Sequence, residues 1–137
     1  MNTIFNLKSS LILAAVLALP VAQAANLSKD EYKAGKDRIS ADYKAEKKAC
    51  DALSGNAKDV CMEEAKAKEK VAKAELEYNH TGKPSDQNKV AMVKADAAYE
   101  VAKEKCDDKA GNDKDVCVKE AKAAKAKAVA DAKAHKS

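Results

Sequence analysis

A pair of cysteines with ten residues between them occurs twice in this chain, each time around a Gly-Asn dipeptide. No other feature narrows the fold as much. Cys50 to Lys66 aligns without gaps to Cys106 to Lys122, 56 residues on, with 11 of 17 positions identical. The shared residues include Cys50/Cys106, Gly55/Gly111, Asn56/Asn112, Cys61/Cys117 and Ala65/Ala121, and upstream Tyr43 matches Tyr99. A match this long at one offset marks an internal duplication.

Each unit reads as helix, tight turn, helix. Leu27, Ser28, Glu31 and Tyr32 are spaced as a hydrophobic staple around a capping box, which predicts a helix start. Tyr32, Ile39, Tyr43, Cys50 and Leu53 then fall on one face at intervals of three and four. Gly55 and Gly111 are expected to stop the first helix of each unit, with Asn56 and Asn112 capping the second. Val60, Ala67, Val71, Ala74 and Tyr78 make the stripe of the helix after Gly55. The run Asn79 to Ser85, with its Gly and Pro, reads as a linker. Met92, Ala95, Tyr99, Ala102 and Cys106 repeat the plan, followed by an Ala/Lys-rich tail.

Residues 1–24 have the pattern of a secretory signal: Lys8, an apolar run from Leu11 to Leu19, Pro20, and Ala22-Gln23-Ala24 as a cleavage site. The run is shorter than the roughly 20 residues a membrane helix needs. The expected organisation is a signal at 1–24, hairpin one at 25–79, a linker at 80–85 and hairpin two at 86–137. Residues 25–137 contain 25 Ala and 24 Lys but only 14 Leu, Ile, Val and Met together. An alanine seam gains much less than the roughly 1.5–3 kcal/mol of a buried Leu or Val, so such hairpins need a further constraint.

The cysteines supply it. Four cysteines in an exported chain allow three pairings. The turn chooses among them: each pair lies five residues either side of Gly-Asn, so antiparallel helices bring Cys50 level with Cys61 and Cys106 level with Cys117. Each bridge closes a twelve-residue loop, for about 3 kcal/mol in the chain-entropy model. The fold expected is therefore all-α, two disulfide-stapled antiparallel hairpins in a four-helix or an extended arrangement. Their heptad-like faces suit coiled-coil packing or self-association equally.

Catalysis has no visible carrier. Ten-residue spacing does not match the close Cys pairs of zinc sites, and no Cys-x-x-Cys redox pair occurs. His80 and His135 fall in the expected linker and tail, away from any rigid site. No metal, cofactor or small-molecule substrate is expected. Mixed charge, 26 basic against 22 acidic residues, does not fit a dedicated nucleic-acid domain. In the first unit glutamates interleave with the lysines at helix spacing. From Ala121 onward only Asp131 opposes Lys122, Lys125, Lys127, Lys133 and Lys136, which makes these five the candidate contacts for a polyanion such as lipopolysaccharide, anionic membrane or nucleic acid.

A signal-like start followed by repeated Cys-Asp-x3-Gly-Asn-x-Lys-Asp-Val-Cys-x2-Glu-Ala-Lys resembles a group of small exported Ala/Lys-rich proteins of proteobacteria. These are often labelled TolA-like cell-envelope proteins. The resemblance covers essentially the whole chain after residue 24 and implies a periplasmic or secreted envelope protein, with another envelope protein or a second copy as partner. TolA itself has a transmembrane anchor and a folded C-terminal domain that this sequence does not match, so the label implies no activity. A looser similarity exists to the exported PsiF-type repeat, in which two cysteines also bracket a Gly-Asn or Gly-Asp turn. The cysteine spacing differs there, and no function carries across.

Overall fold

The computed structural model describes residues 26–134. The signal expected at 1–24, His135 and Lys136 lie outside the described residues. Four helices follow in order: α1 (Lys29–Cys50), α2 (Gly55–Thr81), α3 (Pro84–Lys105) and α4 (Gly111–Ala134), with a short 3-10 turn, Cys106–Asp108, after α3. No strand occurs among the described residues. The class is all-α, as the period of the apolar positions requires.

Substantial packing joins only consecutive helices: α1 with α2, α2 with α3, and α3 with α4. Of the two arrangements the sequence allowed, this is the extended one, an up-and-down row. On α2 the positions near α1 (Ala65, Glu69, Ala72, Leu76) and those near α3 (Ala67, Val71, Ala74) lie on nearly opposite sides at 100° per residue, so the row cannot close into a bundle.

The core is as lean as the composition implies. The buried residues are Cys50, Ala65, Ala74, Ala95, Ala97, Cys106 and Ala121, five alanines and two half-cystines. Small side chains let helices approach toward the short end of the roughly 8–10 Å range of helix packing. One close contact is at Gly35 of α1, where a methyl group would sit 2.5 Å from Leu76 Cδ1 of α2. Gly35, a weak point for an isolated helix, is the socket for that leucine.

Ser28 caps α1 through a complete capping box: its Oγ accepts from the Glu31 amide at 3.2 Å, and the Glu31 carboxylate accepts from the Ser28 amide at 2.8 Å. Three local features differ from the sequence reading. First, α1 ends at Cys50, well before Gly55, so Leu53 leaves the apolar face and stands 45% exposed. The bridge to Cys61 holds the chain there, and Asp51 to Ser54 form the turn. Second, Gly55 and Gly111, at φ +56° and +54°, begin the following helices rather than terminate the preceding ones. Asn56 is no cap, and its buried Nδ2 has no partner. Third, α2 continues through Asn79, His80 and Thr81, and only Gly82 and Lys83 separate it from α3. The Gly82 amide donates to the Tyr78 carbonyl at 2.7 Å and closes α2, and Pro84 opens α3 at a position that needs no amide donor.

Candidate functional site

Two disulfides clasp the hairpins. Cys50 bonds Cys61 and Cys106 bonds Cys117, with Cα atoms 5.6 and 5.7 Å apart, and no cysteine is free. Both separations are ordinary for a cystine. Each clasp is framed by the same ion pair at matching positions, Lys58 with Asp51 and Lys114 with Asp107, both at 2.9 Å. Fully oxidised cysteines are the usage of an oxidising compartment. No described helix is long and apolar enough to cross a membrane.

The first hairpin has a second clasp at its other end. The Leu27 amide donates to the Asn79 carbonyl at 2.9 Å, satisfying one of the carbonyls a helix C-terminus leaves open. His80 Nδ1 donates in turn to the Leu27 carbonyl at 2.7 Å, while its ring stacks on Tyr32 with centroids 4.4 Å apart. The Tyr32 hydroxyl donates to Glu77 at 2.6 Å, and that bond holds the phenol above its ordinary value. Lys36 Nζ lies 4.7 Å from the centre of the Tyr32 ring. His80 is thus fixed within α2 and against α1, where the sequence reading had a loose linker. The signal available was the pairing of an aromatic in the first turn of α1 with a histidine one hairpin length away. In the second unit the matching positions are Asn88 for Tyr32, Lys133 for Glu77 and Lys136 for His80, so that sequence cannot build the same clasp.

Beside this clasp runs a groove bounded by three helices, enclosing about 540 Å³. Tyr32 and Lys36 of α1 and Lys89, Val93 and Asp96 of α3 line its two sides; between them α2 presents Lys70, Lys73 and Glu77, with Leu76 at the α1 seam and Ala74 at the α3 seam. A second, wider depression follows the α2/α3 seam over Val71, Ala97, Val101 and Ala102. Lys94 with Glu75 at 2.6 Å and Lys105 with Glu64 at 2.7 Å lie along the same seam. Exposed pairs of this kind are worth roughly 0–1 kcal/mol each; they set register more than stability.

The basic tail is less free than its sequence implies. Lys125 reaches across the α3/α4 seam to Asp96 at 2.8 Å and lies 5.2 Å from the Tyr99 ring centre. The Asp96 hydrogen bond raises its pKa above the ordinary lysine value. Lys127 pairs with Asp131 at 2.9 Å. Lys122 joins Lys125, Tyr99, Ala126 and Val129 around a shallow hollow, and Lys133, eleven residues on, falls on the same helix face as Lys122. Four of the five candidate lysines are therefore placed: two are held by carboxylates, and Lys122 and Lys133 carry no ion pair among the described residues. Asp96 could not be seen as a partner from the tail alone, because it comes from another helix.

Among the described residues no three His, Cys, Asp or Glu side chains converge as metal ligands would. No family model, curated protein or solved structure matches the chain.

Proposed function

We propose that this protein is a non-enzymatic element of the cell envelope, exported to the periplasm or secreted, with a structural, stress-related or interaction role. It works by presenting disulfide-held helix faces to an envelope protein or to a second copy of itself. The observation that carries this reading is the clasping of each duplicated unit by its own cystine, with only alanines as core. A chain of this composition keeps a fixed surface only while the crosslinks hold, which suits an oxidising compartment and a binding role. Affinity capture from an envelope fraction, run with oxidised and reduced protein in parallel, tests it. A partner or a second copy retained only by the oxidised form is the expected result; equal capture by both forms counts against the reading.

A second reading is polyanion binding through the tail. It is favoured by Lys122 and Lys133, unpaired and on one face of α4, beside the partly engaged Lys125. It predicts retention on heparin or anionic vesicles that weakens with salt and is lost on deleting residues 121–137. Unchanged retention after that deletion rejects it.

A further inference from the structure

The row of helices has two free edges, the outer faces of α1 and α4, and the duplication relates both to a seam that is already made. Unit one meets unit two where α2 packs on α3. The second helix of a unit therefore carries a face that receives the first helix of the next unit, and in repeat architectures such faces are where stacking continues. The register of the existing seam is fixed by its ion pairs. Glu75 of α2 meets Lys94 of α3 at 2.6 Å and Glu64 meets Lys105 at 2.7 Å, so a step forward on α2 is a step back on α3 and Val71 stands level with Ala98. Moving 56 residues on, Glu64, Ala67, Val71, Ala74 and Glu75 become Glu120, Ala123, Lys127, Ala130 and Asp131 of α4, all exposed. Moving 56 residues back, Lys94, Ala97, Ala98 and Val101 become Arg38, Ala41, Asp42 and Ala45 of α1, also exposed.

The two edges match each other. Asp131 is level with Arg38 as Glu75 is with Lys94, although Lys105 has only Ala49 as its counterpart. At the centre, where the internal seam sets Val71 beside Ala98, the edges set Lys127 beside Asp42: a base has entered one edge and an acid the level position of the other. Within the single chain these four charges pair only along their own helices, Arg38 with Asp42 at 3.9 Å and Lys127 with Asp131 at 2.9 Å, and their side chains are 85%, 68%, 78% and 59% exposed. Brought together in the α2/α3 register, acid meets base at both levels. Val116, one of the two exposed large apolar side chains, lies on the same outer face of α4, and the other, Leu53, follows α1 at the same disulfide end. We infer that α4 of one copy docks on α1 of the next in the register that α2 keeps with α3, so that the protein assembles head to tail. Such a contact is heterologous and repeats until it closes into a ring or runs on as a filament. The inference rests on the reading of this protein as an interaction element and names a second copy as what is bound. It leaves Lys122 and Lys133 free, since they lie on another face of α4.

Sedimentation velocity of the oxidised protein over a concentration series at low ionic strength tests the contact. The sedimentation coefficient should climb past that of a dimer and fall back as salt screens the exposed charges. Exchanging Lys127→Glu with Asp131→Lys keeps the net charge and the pair within α4, but sets like charge against like on α1 of the next copy. Exchanging Arg38→Glu with Asp42→Arg does the same from the other edge. Each variant alone should associate about tenfold more weakly or worse, with circular dichroism showing that helix content is kept. An equimolar mixture of the two variants should regain association, because the altered α4 of one is complementary to the altered α1 of the other. A monomer at every concentration overturns the inference, as does association that either variant leaves intact or that mixing fails to restore. None of these results touches capture of a different envelope protein by the oxidised form, so the broader reading fails or survives separately.

Discussion

Replacing Cys50 and Cys61 together by Ala removes one clasp without leaving a lone thiol. The bridge joins residues 11 apart, a closed loop of 12 residues, so the chain-entropy relation gives about 3 kcal/mol at 25 °C. Little else opposes the loss. On α1 only Cys50 is buried, and the α2 positions facing it bury one alanine, Ala65. With a urea slope of roughly 1–3 kcal/mol per molar for a small domain, the unfolding midpoint should fall by roughly 1–3 M. The matching pair, Cys106→Ala with Cys117→Ala, closes a loop of the same size and should cost the same entropy. The consequences should nevertheless differ. After loss of the first bridge, α1 is still held at its far end by the Leu27, Tyr32 and His80 contacts. After loss of the second, α4 keeps Ala121, the Lys125 pair and the Tyr99 contact against α3, but no clasp at its far end among the described residues. Hydrogen exchange should therefore show residues 111–134 unprotected in the second variant, while residues 29–36 keep partial protection in the first. An unchanged urea midpoint would refute the view that the crosslinks hold the fold. Equal exchange in α1 and α4 would refute the second clasp.

Three further outcomes follow from particular contacts. The Tyr32 phenol should titrate above the ordinary tyrosine value in ultraviolet difference spectra, and Glu77→Gln should bring it down. Because its folded pKa is raised, its contribution to stability is present below the unfolded value, near 10, and is lost as pH rises through the folded one. Glu31 has the opposite sign: the Ser28 hydroxyl and then the Ser28 amide hold its pKa below the ordinary carboxylate value. Its contribution is present above that value and fades as pH falls through the depressed pKa. Ser28→Ala, which removes the hydroxyl but keeps the amide donor, should weaken that acid dependence and, measured by denaturation, cost about 1 kcal/mol as N-cap losses do. Gly35→Ala gains up to about 1 kcal/mol of helix propensity but drives a methyl into Leu76. The gain should be complete only in a Leu76→Ala background, and a double-mutant cycle without coupling would contradict the close approach.

The hairpins and their bridges were legible because they rest on periodicity and on symmetry about a turn. Two antiparallel helices joined near Gly-Asn can level Cys50 only with Cys61, and the alanine count alone forecast an alanine core. Helix ends were less legible for a physical reason. The turn glycine marks a left-handed position, but a left-handed residue serves a helix start as well as a stop. Gly55 and Gly111 do the former, which leaves Leu53 exposed. His80 sits beside Gly82 and Pro84, residues that signal a break, and the break falls after it because Gly82 closes the helix on Tyr78. Partners that come from another helix were beyond reach altogether: Asp96 for Lys125 and Glu77 for Tyr32 are separated in sequence by 29 and 45 residues.

Those cross-helix partners also show where the two copies of the unit have parted. Cysteines, turn glycine and the flanking Asp/Lys pair are kept in both, so each copy retains the device that makes a hairpin from a chain too poor in apolar residues to form one unaided. Around that device the charges have changed sign. Glu63, Glu69 and Glu77 of the first unit correspond to Lys119, Lys125 and Lys133 of the second. In the first unit, Glu63 and Glu69 bind Lys66 and Lys73 of their own helix, and Glu77 fixes Tyr32. In the second, Lys125 must look across to Asp96 on α3, and Lys133 is left unpaired. The first hairpin is thus closed at both ends, whereas the second is open at one end and carries a basic face.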